Sequence, residues 1–415
     1  MKKITFNPAT KTAFHVFLLV FAMFLLLLFR NPSVFINPQP WAEDMNIFLR
    51  QEYNTGFPKT PFTLHAGYME LLPRIIAWIA LKFDMSGAMM VMNWAVLLIK
   101  LLTFYLIYKS REITSNLIKI SLIAYMVLVP FAGEVYNNVT NLQWWLIYLM
   151  AIVIIRHETS TSGMIFSSCV LILTGLTGVN SVIFAVPCAY LMLKIRTRDS
   201  IIKNSIVIIC GLIEFYCLYI SGRSGNGTLM YNGGGGNWLI DIINMFVCRV
   251  IYRLFTDYST KSYVNIIVFL TYISILIFQL WYYRKSVIVR FIFLFSLAYS
   301  AVILYNFLKS RPNLNLISGY GSERYFFYLR IITFVLLFSF LNVMYSSLMS
   351  KRSYKRLMAY SCFLICLVVI RNYPANEYRF DPRYYDDIVR FETAKSGDIV
   401  KFHYYPGWST ELRKK

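Results

Sequence analysis

Acidic residues are scarce in this chain: its 415 residues include only 20 Asp and Glu, and charged residues of both signs together make up 15% of it. Soluble domains usually approach a quarter, so an ordinary water-soluble fold is excluded. Hydrophobic runs recur from Phe14 to Ile370, so no long polar stretch is available for an independent core before the last forty or so residues. The seven cysteines (Cys169, Cys188, Cys210, Cys217, Cys248, Cys362 and Cys366) lie in or beside apolar segments without a metal-type C-x-x-C pair. They read as inert apolar residues and say nothing about redox compartment. The four histidines, His15, His65, His157 and His403, are scattered and imply no metal cluster. The run Asn232 to Asn237 has neither the Lys-Ser/Thr of a phosphate-cradling loop nor a strand before it, and reads as a flexible loop. No small-x-small cleavage site follows the first hydrophobic run; Arg30-Asn31-Pro32 does, so that run reads as an uncleaved span.

What is abundant is apolar surface, 58% hydrophobic residues with a mean hydropathy of +0.54. After Phe14 to Phe29, apolar segments fall near Met89 to Tyr108, Leu117 to Ala132, Leu142 to Ile155, Met164 to Leu193, Ile206 to Ile220, Val264 to Tyr283, Phe291 to Leu308, Tyr325 to Met349 and Leu357 to Ile370. The segment Met164 to Leu193 is too long for one crossing and is interrupted at Thr174 to Asn180. It is either two short spans or a re-entrant pair, and both return the chain to its starting side. About eleven spans, or nine plus a re-entrant pair, are therefore expected in an all-α polytopic membrane protein.

The 41 Lys and Arg give a net charge of +21, which in a soluble protein would point to nucleic acid. Here the basic residues collect between spans. With Met1 in the cytoplasm, the inner loops hold Lys109 and Arg111, Arg156, Lys194 to Lys203, Arg284 to Arg290, and Lys351 to Arg356. Membrane orientation accounts for the excess, and no nucleic-acid partner is expected. The outer segments then run over residues 31–87, 133–141, 221–263, 309–324 and from 372 to the end. Two of them hold short amphipathic stretches, Leu71 to Phe83 and Trp238 to Phe255, which read either as structural collars on the membrane surface or as guides for a lipid substrate. In the second stretch Asp241, Asn244, Arg249 and Arg253 form one polar stripe. The tail, residues 372–415, has near-balanced charge and enough aromatics, Tyr384, Phe391, Phe402 and Tyr404 among them, to fold as a small cap on the transmembrane region, residues 1–371.

The patch most capable of chemistry is Trp41-Ala42-Glu43-Asp44, in the first outer loop. Adjacent carboxylates near a bilayer repel each other, so one holds a raised proton affinity or binds a cation. Such a group can take a proton from an attacking hydroxyl. The plainer alternatives are solvated loop charges or caps of a helix-like stretch over Met45 to Glu52. Arg324 beside Tyr325 stands at the outer end of a span, where it serves either as an anion clamp or as an interfacial snorkelling residue. Lys100 and Glu214 are the clearest charges within spans, and neither has a partner evident in the sequence.

The order of a first span, Trp41-Ala42-Glu43-Asp44 with Phe48, then Gly56, Ala66-Gly67-Tyr68 and Leu72-Pro73-Arg74 resembles the polyprenyl-phosphate-dependent membrane glycosyltransferases of the GT-C superfamily. It is similar in particular to the serotype-converting bacteriophage O-antigen glucosyltransferases. Chain size and span layout agree over nearly the whole chain, with echoes at Gly321 to Phe326 and Tyr405 to Trp408. The resemblance implies a GT-C-type bundle of about 9–11 transmembrane helices in a bacterial inner membrane, with the catalytic loop, residues 31–87, and the C-terminus in the periplasm. It implies a donor of polyprenyl-phosphate-linked glucose, O-antigen or lipid-linked O-antigen as acceptor, and two companions, a donor synthase and a flippase. Asp44 is then the expected general base, with Glu43 as neighbour or substitute. Arg324, Arg74 and Arg311 are expected at the donor phosphate, and Trp41, Tyr68 and Tyr325 at the sugar or lipid. No metal and no other cofactor are expected. An O-antigen polymerase and a lipid-linked sugar flippase are the alternatives.

Overall fold

The computed structural model describes residues 8–113, 115–130, 132–221, 238–254, 262–309, 323–348, 381–404 and 407–415. The expected span Leu357 to Ile370, the glycine run Gly233 to Gly236, Arg311, Gly321-Ser322 and Tyr405-Pro406 lie outside the described residues. The chain is mostly helical, as its composition requires. A long connecting segment follows α1 (Pro8–Arg30), and within it α2 (Ser33–Ile36), α3 (Arg50–Thr55) and α4 (Leu71–Ala80) are all short. Next come α5 (Met85–Lys109), α6 (Asn116–Leu128), α7 (Leu142–Ile155), α8 (Thr161–Gly175), α9 (Asn180–Lys194) and α10 (Arg198–Ile220). The later helices are α11 (Trp238–Phe246), α12 (Ser262–Tyr282), α13 (Val287–Lys309), α14 (Glu323–Leu348) and α15 (Arg383–Thr393).

Helix starts follow local chemistry. Asp84, Ser115, Ser160 and Thr197 each accept a hydrogen bond from a backbone N–H in the first turn of α5, α6, α8 and α10, which satisfies a donor the helix leaves open. Five described helices are long and apolar enough to cross a membrane: α5, α10, and segments of α12, α13 and α14. By contrast α6 to α9 have only 13 to 15 residues, roughly 20–22 Å at 1.5 Å per residue, against a hydrocarbon core of about 30 Å. The expected break in Met164 to Leu193 is present: α8 and α9 are separate helices joined at Leu176 to Val179. α9 packs along α10 and α13, while α7 lies against α5 and α8 and is almost wholly buried. Close approach at α10 depends on Gly211, where a Cβ would come 2.7 Å from the Ser181 carbonyl oxygen of α9.

Two expected surface helices take a different form. The first ends at Ala80, and its Arg74 is buried at 1% exposure instead of facing water. The second is helical only to Phe246. It continues as a π-helical turn, Val247–Ile251, and a 3-10 turn, Tyr252–Leu254. Arg249 and Arg253, expected on a polar stripe, are buried. Their charges are met by Glu323 at the start of α14, which also receives Arg330, with Arg249 Nη1 2.5 Å from its Oε1. A buried cation needs such a partner, and this one lies 74 residues away along the chain.

Of the tail, the described residues 381–404 and 407–415 pack together as a small unit. α15 is followed by the antiparallel hairpin β1 (Ile399–Tyr404) and β2 (Trp408–Arg413). Strand alternation turns Val400, Phe402 and Tyr404 inward onto Tyr384, Ile388 and Phe391 of α15.

Candidate functional site

The carboxylate pair sits on a tight turn. The Asp44 N–H donates to the Trp41 carbonyl at 2.9 Å, and the Trp41 N–H donates back to Asp44 Oδ2 at 3.1 Å. Closing the turn both ways puts Ala42 at φ +43°, a left-handed conformation that costs a residue with a Cβ roughly 1–2 kcal/mol. Strain of this kind is concentrated at functional sites. Asp44 then opens a π-helical turn, Asp44–Leu49, which runs into α3.

Asp44 is buried at 2% exposure. Its Oδ1 accepts from the Thr140 N–H at 2.8 Å and the Thr140 hydroxyl at 2.7 Å. Burial pushes its carboxyl from 3.8 up to about 6, the hydrogen bonds from Thr140 and Trp41 pulling the other way and Glu43 adding to the rise. Glu43 is half-buried, and among the described residues it makes no hydrogen bond or ion pair. Its charge acts on Asp44, Glu70, Tyr404 and Arg324.

Opposite stands the start of α14. Arg324 pairs with Glu134 at 2.9 Å, lies over the Tyr325 ring at 5.3 Å, and keeps 31% of its side chain exposed. Tyr325 meets Trp144 edge-on at 5.4 Å. Tyr68 bridges the two sides: Arg324, Tyr325 and Glu70 all act on it electrostatically, and Gln143 Nε2 donates to its hydroxyl at 3.5 Å. Burial holds the Tyr68 phenol well above its ordinary value. A two-residue turn presents it, with Ala66 and Gly67 at φ +56° and +91° between the paired residues His65 and Tyr68.

The expected residues thus divide. Glu43, Asp44, Tyr68, Arg324 and Tyr325 come together. Trp41 is near them, but at 8% exposure its ring packs in the core and its backbone does the work. Arg74 lies under the loop, where Nη1 donates to Gln51 Oε1 at 2.8 Å and the guanidinium approaches the Phe48 ring at 5.9 Å. Among the described residues its Nε and Nη2 have no hydrogen-bond partner, and burial lowers its proton affinity. Arg311 lies outside the described residues.

Several members carry no signal in the sequence. Residues 129–141, between α6 and α7, supply Thr140 to Asp44 and Glu134 to Arg324, and so set the spacing between carboxylate and cation. The same segment answers the buried Lys100, which donates to Asn137 Oδ1 at 3.3 Å and lies 4.5 Å from the Trp145 ring and 4.9 Å from that of Tyr136. Glu214, the second charge expected within a span, is also buried and accepts from the Met69 N–H at 3.0 Å. The loop end is also tied to the α8–α9 turn: Leu71 N–H donates to Leu176 O, and Gly178 N–H to Met69 O. Glu70 is fully buried there, with its carboxyl raised well above the ordinary range by burial and by Glu214. Among the described residues Glu70 Oε2 and Glu214 Oε1 have no hydrogen-bond partner. Among the described residues no three His, Cys, Asp or Glu side chains gather as a metal-holding group.

Compared with known proteins, the chain matches no protein-family model and no curated protein sequence.

Proposed function

We propose that the chain is a membrane glycosyltransferase of GT-C type, moving a glucosyl group from polyprenyl-phosphate-glucose to the O-antigen of lipopolysaccharide at the periplasmic face. The observation that carries this reading is the carboxylate pair Glu43–Asp44 on a strained turn, bonded through Thr140 to the same α6–α7 segment whose Glu134 holds the partly exposed Arg324. In the reaction, an acceptor hydroxyl oxygen bonds to the anomeric carbon while the bond from that carbon to the phosphate oxygen breaks. The hydroxyl proton passes to the carboxylate, the phosphate leaves with the bonding electrons, and the anomeric configuration inverts. A base is needed on one side and a cation on the other, where negative charge grows. Asp44, raised to about 6, is largely ionised at neutral pH and keeps enough proton affinity to accept. Glu43 offers both carboxylate oxygens on the open side. Arg324, with Arg74 behind the loop, faces the phosphate, while Tyr68 and Tyr325 border the sugar. The glucosyl identity and the acceptor rest on the family resemblance.

The test is glycan analysis of lipopolysaccharide from cells making the wild type, Asp44→Asn or Glu43→Gln together with a donor synthase and flippase. We expect a hexose side branch with the wild type and a loss of at least about a hundredfold with the variant lacking the base. Unchanged branching in both variants would remove the carboxylate mechanism. Absence of any branch with altered chain length would instead identify a polymerase.

A further inference from the structure

The cap belongs to the same site. Tyr404 is fully buried, and its hydroxyl donates to Thr410 Oγ1 across the hairpin at 3.3 Å. Thr410 in turn donates to Asn46 Oδ1 at 2.8 Å. Asn46 lies in the π-helical turn that Asp44 opens, so the last strand of the chain is bonded to the turn carrying the carboxylates, 364 residues away. Asp44, Glu43 and Arg50 all act on Tyr404, whose phenol is pushed up to about 12, chiefly by burial. The cap is fixed on both flanks of this contact. Before it, Gln39 Nε2 donates to the Asp381 carbonyl and the Asp381 N–H donates to Gln39 Oε1, each at 3.0 Å. Beyond it, Phe391 meets the Tyr53 ring edge-on at 5.9 Å. From Gln39 to Tyr53 the loop is therefore held by the cap at three points.

A π-helical turn needs such help. Its i to i+5 bonding is rare, is found mostly as single turns, and often marks functional sites. Thr140 and Trp41 fix the Asp44 carboxylate from the bundle side, and Asn46 is the point at which a different part of the chain takes hold.

We propose that Thr410, backed by Tyr404, is a positioning residue that holds the Asp44–Leu49 turn through Asn46, making the C-terminal hairpin part of the carboxylate site. The catalytic meaning of that role rests on the glycosyltransferase reading; the mechanical claim does not.

The experiment is amide hydrogen exchange on the full-length protein in lipid nanodiscs, comparing wild type, Thr410→Val, Thr410→Ser and Asn46→Ala. Losing one buried hydrogen bond is expected to speed exchange over residues 44–49 by roughly tenfold in Thr410→Val and Asn46→Ala. Thr410→Ser keeps the hydroxyl and should match the wild type. Asn46→Ala leaves the hairpin sequence intact, so residues 399–413 must stay protected while 44–49 open. Wild-type exchange over 44–49 in Asn46→Ala, or opening in Thr410→Ser equal to that in Thr410→Val, would overturn the proposal. In the lipopolysaccharide assay Thr410→Val should lower the extent of branching severalfold, and Thr410→Ser should restore it. If the wild type forms no branch, the glycosyltransferase reading fails and the exchange result still decides the positioning role.

Discussion

Burial raises the Asp44 carboxyl from 3.8 to about 6 despite three hydrogen bonds that favour its charged form. The sign of the linked stability follows. The folded protein holds this proton more tightly than the unfolded chain, so the contribution is present in full below pH 3.8 and is lost as pH rises through about 6. Above that, the ionised buried carboxylate costs the fold roughly 3 kcal/mol, about 1.4 kcal/mol per pKa unit. If Asp44 takes the acceptor's proton, kcat/KM for the acceptor, which reports the free enzyme, rises with pH along a limb centred near 6. Asp44→Asn should remove that limb and not merely lower the whole profile. Initial rates between about pH 5 and 8 check this: a limb that survives in Asp44→Asn assigns the titration to another group, with Glu43→Gln the next variant. The candidacy of this pair is legible in the sequence, because adjacent acids after a first span are unusual. The difference between its members is not, because Thr140, 96 residues on, decides which one is bound.

At the scale of elements, the loop end Met69–Leu72 is held between the α8–α9 turn and α10, and Gly178 is the tightest point of that joint. Its φ is +81°, and a Cβ there would fall 2.1 Å from Gln143 Oε1, the side chain that donates to Tyr68. Gly178→Ala therefore meets backbone strain and a displaced Gln143 together, and is expected to lower stability by about 2–3 kcal/mol. Gly397, at φ +97° in the cap with nothing within 4 Å of its Cβ position, meets only the first, so Gly397→Ala should cost about 1 kcal/mol. Thermal unfolding of the two variants in the same detergent checks the ranking, and equal losses would show that Gln143 yields freely. The helix starts at Asp84, Ser115, Ser160 and Thr197 lie before the apolar runs that mark the segments, whereas the interruption at Thr174 to Asn180 is readable from its Gly and Thr content. The π-helical turns are not: Asp44–Leu49 carries an ordinary helix-like pattern. Nor is the burial of Arg249 and Arg253, since a polar stripe looks the same whether it faces water or a distant Glu323.

Across the whole molecule, charge separates toward the two ends of the bundle. The first loop, the α6–α7 segment, the α8–α9 turn, the start of α14 and the cap are bonded to one another at one end. At the other, the α5–α6, α7–α8 and α9–α10 connections meet: Glu112 accepts from the His157 N–H at 2.9 Å, while Asp199 pairs with Lys203 at 3.1 Å and His157 at 3.2 Å. Lys109, Arg111, Arg156, Lys194, Arg196 and Arg198 lie in or beside these connections, so the positive-inside rule predicts that this second end is the cytoplasmic one. Exposed Lys59 and Lys401 should then share one side of the membrane, with exposed Arg196 on the other. In a background without the seven cysteines, single cysteines at positions 59 and 401 should react with an impermeant maleimide in intact spheroplasts, and one at 196 only after permeabilisation. The reverse pattern would put the carboxylates in the cytoplasm, where nucleotide sugars are available and a flipped lipid-linked donor has no purpose. Labelling of 59 without 401 would break the contact between Thr410 and Asn46 on which the cap's role depends.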